Sequence, residues 1–191
     1  MTTPLPRPAP AGPLATGDLW VFGYGSLLWR PGFEHAETRR AAAPGWRRAF
    51  CLRSIRYRGT TDFPGLVLAL DFAPHMACEG LAFRVPPEHV QAARDYLHER
   101  EMGTRSYLEC WPELVLEDGT RVRGLAYAID RTHPSYVRLP LSEQADIIAR
   151  AHGPAGPNAE YLHNTAAHLR ELGVHDAELE ALDARVRELA G

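Results

Sequence analysis

The sequence predicts an α+β fold with a largely antiparallel sheet, and three observations support this class. Short apolar segments typical of strands dominate the first part of the 191-residue chain, whereas helical patterns dominate its last third. The two kinds of segment do not alternate as they do in β-α-β units. Asp118-Gly119 lies between two apolar runs, which is a strong hairpin signal. We expect about six strands to close into a small barrel, because closure removes exposed sheet edges.

The first strand segment, residues 19–22, leads directly into the glycine-rich turn Gly23-Tyr24-Gly25-Ser26. Proline near the first helical position and Glu88 in the first turn predict a helix that ends near Glu101. The remaining strand segments are residues 48–52, 66–70, 79–85, 114–116 and 122–129. Three later helices have predicted N-caps at Ser142, Asn158 and Asp176.

Length and composition predict one domain over residues 18–191, after a flexible Pro-rich tail over residues 1–17. The tail lacks the basic start and apolar run of a signal peptide, and no run of about 18 apolar residues could span a membrane. A net charge of −3 gives no general attraction to nucleic acid. The three cysteines are widely spaced, which predicts reduced thiols and a cytoplasmic protein. No pattern predicts the oligomeric state.

The turn after the first strand is the first candidate site. Glycines allow close backbone approach to a ligand, and successive N–H groups in such a turn can bind a carboxylate. A plain structural turn is the alternative, and spacing alone favours it. The turn lacks the glycine at Leu28 that a dinucleotide fingerprint requires, and Ser26 is not flanked as a nucleophile elbow requires.

Glu101 is the second candidate, because a helix of about 100° per residue places it on the apolar stripe of Val90, Ala93 and Leu97. Glu99 falls on nearly the opposite face. Burial and the helix C-terminus would both raise the pKa of Glu101 towards neutrality, as a general acid or base requires. A frayed helix end with Glu101 paired to an arginine in solvent is an equal alternative at this point.

Other polar groups give weaker evidence for a functional site. The nine histidines show no metal-ligand spacing, so we predict no metal. The arginine-rich stretch at residues 47–58 spans a predicted strand, and a solvated face, or one arginine that holds a carboxylate, is a better interpretation than a nucleic-acid site.

Several segments together make the chain resemble the ChaC family of γ-glutamylcyclotransferases, the glutathione-specific kind. The resemblance covers roughly residues 19–189, and the combination of a Gly-Tyr-Gly-Ser-Leu block, an Arg-Glu-Met segment and a late Gly-Pro loop is highly specific. The segments that carry it are residues 21–29, 57–60, 64–68, 79–84, 96–102, 152–157 and 160–162.

The resemblance implies a small mixed β-barrel with helices packed around it. It implies that Glu101 is the catalytic acid and base, the residue that the helix periodicity selects independently. It also implies that the glycine turn holds the γ-glutamyl group, and we expect two tyrosines to line the pocket. The predicted substrate-binding residues are Val21, Phe22, Gly23, Tyr24, Gly25, Ser26, Leu27 and Tyr107.

The expected reaction is cleavage of glutathione to 5-oxoproline and cysteinylglycine by the substrate's own α-amine, without a cofactor. Two alternatives stay open: a cyclotransferase for other γ-glutamyl amines or amino acids, and a non-catalytic γ-glutamyl-binding regulatory domain. One departure bears on substrate preference, because Arg105 stands where the family pattern leads us to expect glycine.

Overall fold

The structure is a computed structural model, and it describes residues 17–103 and 105–190. As far as they are described, Met1–Arg48 and Leu70–His133 form one compact unit, and Ala49–Ala69 and Pro134–Gly191 form a second. The prediction of a single domain over residues 18–191 stays a prediction. The predicted tail lies outside the described residues except for Gly17.

A mixed six-stranded sheet forms the centre of the first unit, although its two longest strands continue beyond that unit. In the order β1-β3-β2-β5-β6 the strands are hydrogen-bonded neighbours, β6 pairs in turn with β1 to close the ring, and β4 is added to β6. The strands are β1 (Leu19–Gly23), β2 (Glu37–Ser54), β3 (Gly65–Val85), β4 (Tyr107–Cys110), β5 (Glu113–Leu116) and β6 (Arg121–Ile129).

The direction of the strand pairs confirms a mixed, mostly antiparallel barrel. β6 runs parallel to β1 and to β3. The pairs β1–β3, β2–β5, β4–β6 and β5–β6 are antiparallel. The predicted hairpin at Asp118-Gly119 joins β5 to β6, and the Gly119 N–H donates to the Leu116 carbonyl at 2.8 Å. The predicted α+β class is therefore confirmed.

Two of the predicted strands proved to be one. Residues 66–70 and 79–85 both belong to β3, whose middle contains the exposed His75 and Met76. An exposed stretch has no alternation of apolar and polar residues, so the pattern shows only the buried ends of such a strand. β2 also begins well before the predicted residue 48. The short strand β4 was not predicted.

The helices are α1 (Val90–Met102) in the first unit, and α2 (Leu141–Arg150), α3 (Asn158–Glu171) and α4 (Ala177–Ala190) in the second. The last three pack on one another. A short hairpin of β7 (His152–Gly153) and β8 (Gly156–Pro157) precedes α3. Among the described residues, no helix is long and apolar enough to cross a membrane.

One of the three predicted helix caps is confirmed. The Asp176 carboxylate accepts a hydrogen bond from the Leu179 N–H at 3.1 Å, at the start of α4. The predictions for Ser142 and Asn158 are wrong, since α2 is preceded by Pro140 and α3 by Pro157, neither with a side-chain cap. Asn158 cannot cap α3 because its amide is bonded to the backbone of β3, as discussed below.

Candidate active site

The glycine-rich segment after β1 forms a tight turn, as predicted. Gly25 precedes one turn of 3₁₀-helix over Ser26–Leu28, and its carbonyl accepts from the Leu28 N–H at 2.8 Å. The Arg30 N–H then donates to the Ser26 carbonyl at 3.0 Å. The chain reverses here within a few residues at the end of a barrel strand.

The two glycines of the turn have different surroundings. A Cβ on Gly23 would lie 3.0 Å from the Phe83 ring and 3.2 Å from the Leu27 Cβ, so a side chain there would require its neighbours to move by a few tenths of an ångström. A Cβ on Gly25 would meet no neighbouring atom within 4 Å. Gly25 therefore borders open space, where a ligand can approach the main chain.

Gly25→Ala separates a ligand role from a packing role. A Cβ at this position meets no neighbouring atom within 4 Å, so we expect the variant to fold without a packing clash. A substrate that lies against this amide would collide with the methyl group, and we expect KM to rise by about tenfold or more. Steady-state kinetics and thermal melts measure both effects. Unchanged KM in a variant that is folded at the assay temperature would show that the substrate does not lie against Gly25.

Several side chains of this segment are buried in the protein. Val21, Phe22 and Leu27 are all buried, and Phe22 belongs to the core cluster of the barrel. The Tyr24 hydroxyl donates to the Tyr127 carbonyl at 2.9 Å, which occupies its one proton. The predicted binding role of the segment therefore depends on its main-chain amides, together with the half-buried Ser26 side chain.

Glu101 lies in the last turn of α1, on the face that the helix periodicity predicts. Ala93 and Leu97 on the same stripe are buried. The Glu101 side chain is only 16% exposed, whereas Glu99 two residues earlier is exposed. The predicted inward orientation of Glu101 is therefore confirmed, and the alternative of a frayed, solvated carboxylate is not.

Burial raises the pKa of the Glu101 carboxyl above its ordinary value, because the charged form loses its hydration. Arg100 opposes this by its charge and by a hydrogen bond. The Arg100 Nε lies 3.2 Å from the Glu101 Oε1. The carboxylate is thus less acidic than a free glutamate but remains hydrogen-bonded in its ionised form.

Arg100 links this carboxylate to the glycine turn. Its Nη2 donates to the Ser26 Oγ at 2.8 Å, while its Nε faces Glu101. From the sequence, an arginine was expected only as a solvent-exposed partner of Glu101. The position of Arg100 four residues after Tyr96, on the flank of the apolar stripe, is the one local signal that it faces the protein.

Two further tyrosines belong to the adjacent strands β4 and β6. Tyr127 on β6 is buried, and burial raises the pKa of its phenol, with the nearby charges of Glu109 and Glu101 acting in the same direction. Tyr127 was not predicted as a site residue, because an aromatic residue in an apolar strand is typical of a barrel core. Tyr107 begins β4 opposite Ile129 and is half-buried, and its role in the pocket stays a prediction.

Arg105 has a backbone φ of 54°, in the left-handed region that favours glycine. Arg105 stands where the family pattern leads us to expect glycine, and its backbone conformation is one that suits glycine. The Arg105 side chain is exposed, close in sequence to Glu101. The positive charge of Arg105 is therefore exposed to solvent a few residues after the end of α1, the helix that carries Glu101.

Arg105→Gly is expected to raise the free energy of unfolding by roughly 0.5–1 kcal/mol, because relief of the left-handed strain exceeds the extra entropy of the unfolded chain. Urea unfolding measures the change. Arg105→Ala is the matched control, since it removes the charge but keeps the Cβ. An equal gain in both variants would assign the effect to charge rather than backbone.

Within the described residues, no group of three or more His, Cys, Asp or Glu side chains is arranged to hold a metal ion. The three cysteines are buried, and burial raises the pKa of the Cys110 thiol to about 12. The candidate site therefore consists of the glycine turn, Arg100 and Glu101.

Comparison with known proteins gives matches over nearly the whole chain. The model of the family described as ChaC-like protein matches residues 19–189. A glutathione-specific γ-glutamylcyclotransferase of Escherichia coli K12 is 40% identical over 174 residues, which cover 91% of this chain and 74% of the relative. The human glutathione-specific γ-glutamylcyclotransferase 1 is 32% identical and covers 95% of this chain and 85% of its own length.

A solved structure is similar to this fold. The crystal structure of a yeast γ-glutamyl cyclotransferase specific to glutathione has a TM-score of 0.79 and 26% sequence identity. The similarity covers 91% of this chain and all of that one, 100%.

Proposed function

Because this chain belongs to the ChaC-like protein family, we propose that it is an enzyme, a γ-glutamylcyclotransferase that cleaves glutathione to 5-oxoproline and cysteinylglycine. The names of its relatives support glutathione as the substrate. The observation that carries the proposal is a largely buried carboxylate, Glu101, joined through one guanidinium to a glycine turn that borders open space.

In the proposed reaction the α-amine of the glutamyl group attacks its own γ-carbonyl carbon, and a five-membered ring closes. Attack within one molecule avoids the entropy cost of bringing two reactants together. Glu101 accepts the proton that the ammonium loses. It then returns that proton to the nitrogen of the leaving cysteinylglycine as the amide bond breaks. The reaction involves no oxidation or reduction and no external nucleophile, so it needs no cofactor.

The glycine turn is assigned to hold the γ-glutamyl group. Amides of residues 23–27 would bind the substrate α-carboxylate and oppose negative charge on the carbonyl oxygen during attack. Tyr107 is assigned to line the same pocket. Glu101 must be ionised to take the first proton and neutral to give it back, which a raised pKa favours near neutral pH.

The test is incubation of the purified full chain with glutathione, with both products identified by mass spectrometry. We expect 5-oxoproline and cysteinylglycine in equal amounts. Glutamate in place of 5-oxoproline would indicate hydrolysis, and glutathione bound without turnover would indicate a regulatory domain.

The exposed positive charge of Arg105, which follows the catalytic helix in the chain, suggests a second substrate class besides glutathione, namely other γ-glutamyl amines or amino acids. A panel of other γ-glutamyl amines and amino acids, compared by kcat/KM, separates the two possibilities. We also propose a cytoplasmic location, because the three buried thiols are suited to a reducing compartment.

A further inference from the structure

We propose that Arg100 is a positioning residue, whose planar guanidinium fixes the Glu101 carboxylate relative to the glycine turn. The inference rests on the proposed function and adds a residue to it. Glu101 is the group that would move protons. Arg100 would act through Glu101 and through Ser26, without touching the reacting atoms.

The Arg100 side chain makes contacts in several directions at once. Its Nε lies 3.2 Å from the Glu101 Oε1, and its Nη2 donates to the Ser26 Oγ at 2.8 Å. Its Nη1 donates to the Arg30 carbonyl at 2.8 Å and to the Tyr96 hydroxyl at 2.9 Å. Both Ser26 and Arg30 belong to the segment that follows the glycines. One guanidinium therefore ties the end of α1 to that segment.

The guanidinium is itself held in place. Its central carbon lies 5.9 Å from the centre of the Tyr96 ring, within the range of a cation–π contact. Gly32, with a φ of 75°, lies so close to the Tyr96 hydroxyl that a Cβ there would overlap it. The Arg100 side chain is only 21% exposed. These contacts limit the rotamers available to Arg100. They therefore also limit the positions at which Arg100 can hold the Glu101 carboxylate.

Arginine suits this role for a geometric reason. Its donors point outward in one plane, so a single side chain can bind two acceptors at a fixed separation. A lysine ammonium would keep the charge beside Glu101 but could not also reach Ser26 and Arg30 with the same geometry. The position therefore allows charge and geometry to be separated by substitution.

Other charged and titratable groups lie near the Tyr127 phenol on β6. The charges of Glu101 and of Glu109 on β4 both act on that phenol. Arg94 on α1 pairs with Glu109 at 3.4 Å, and the Cys110 thiol lies beside Glu109 in the chain. Among the described residues, Arg100 is the cation that contacts the Glu101 carboxylate itself. Its removal therefore leaves this buried carboxylate with less opposing charge.

The experiment compares Arg100→Met, Arg100→Lys and the control Arg84→Met in the full chain. Arg84 is an arginine of the same unit that pairs instead with Asp18 and Glu37. For Arg100→Met we expect kcat to fall by about 100-fold, because a misplaced group loses much of its effect. We also expect the acidic limb of the kcat/KM profile to move to higher pH. Arg100→Lys should keep the limb near its original pH but lose about tenfold in kcat.

A ¹³C NMR titration of the labelled Glu101 carboxyl, without substrate, separates this inference from the proposed function. In Arg100→Met the titration should move to higher pH even if the enzyme turns over no γ-glutamyl compound. An unchanged titration together with an unchanged kcat would overturn the proposal. If Arg100→Met does not fold, the decision falls to Arg100→Lys. Wild-type kcat in that variant, or a loss no larger than in Arg84→Met, would overturn it equally.

Discussion

Glu101→Gln is expected to lower kcat for 5-oxoproline formation by about 10²–10⁴-fold, the usual contribution of a general acid–base residue. Glutamine has nearly the shape of glutamate and can still accept a hydrogen bond from Arg100. It cannot accept the ammonium proton or return it to the leaving amine. KM should change much less than kcat, because the glycine turn is intact. Initial rates at saturating glutathione provide the measurement.

Glu99→Gln is the matched control for this variant. The two glutamates are two residues apart on the same helix, but Glu99 is exposed whereas the Glu101 side chain is largely buried. We expect Glu99→Gln to keep nearly full activity. Equal losses in the two variants would contradict the assignment of the proton transfer to Glu101.

Asn158→Ala is expected to lower the free energy of unfolding by about 2–5 kcal/mol, a large share of the stability of a domain. The Asn158 side chain is fully buried. Its Oδ1 accepts from the Leu66 N–H at 2.6 Å, and its Nδ2 donates to the Leu66 carbonyl at 2.7 Å. Alanine would leave both backbone groups of a buried strand without this partner. Urea unfolding of the full chain, followed by circular dichroism, measures the loss.

Asn164→Ala controls for the loss of an asparagine from the same helix. Asn164 lies on α3 and is exposed, so its replacement should change stability by less than about 0.5 kcal/mol. Similar midpoints for the two variants would show that the Asn158 bonds to β3 add little net stability. Activity measured below the unfolding transition should be similar in both, since Asn158 has no proposed part in the chemistry.

The fold class could be predicted because its signals are local. The helix start near Pro87, the Asp118-Gly119 turn and the apolar stripe of α1 depend on nearby residues, and each was predicted correctly. The full length of β3 could not be predicted, since its exposed middle is held by strand pairing rather than by its own pattern. Asn158 was predicted as a helix cap because its bond to Leu66, far away in sequence, leaves no local signal.

The same distinction applies to the candidate site. Helix periodicity was enough to choose Glu101 over Glu99, because both lie on one regular helix. The contact of Arg100 with Ser26 joins two segments distant in sequence, and no spacing rule predicts it. The segments at residues 57–60, 64–68 and 152–157 also carried the family resemblance. The structure gives three of their glycines a packing role, since a Cβ on Gly59, Gly65 or Gly153 would overlap backbone atoms.

The pH at which Glu101 loses its proton tests the central claim most directly. We propose measuring the carboxyl titration by ¹³C NMR in the free wild-type protein, together with the acidic limb of kcat/KM for glutathione. Burial raises the pKa of Glu101, so both midpoints should coincide above the range of an ordinary glutamate. A carboxyl that titrates like a free glutamate, or an acidic limb at a different pH from the titration, would contradict proton transfer by Glu101.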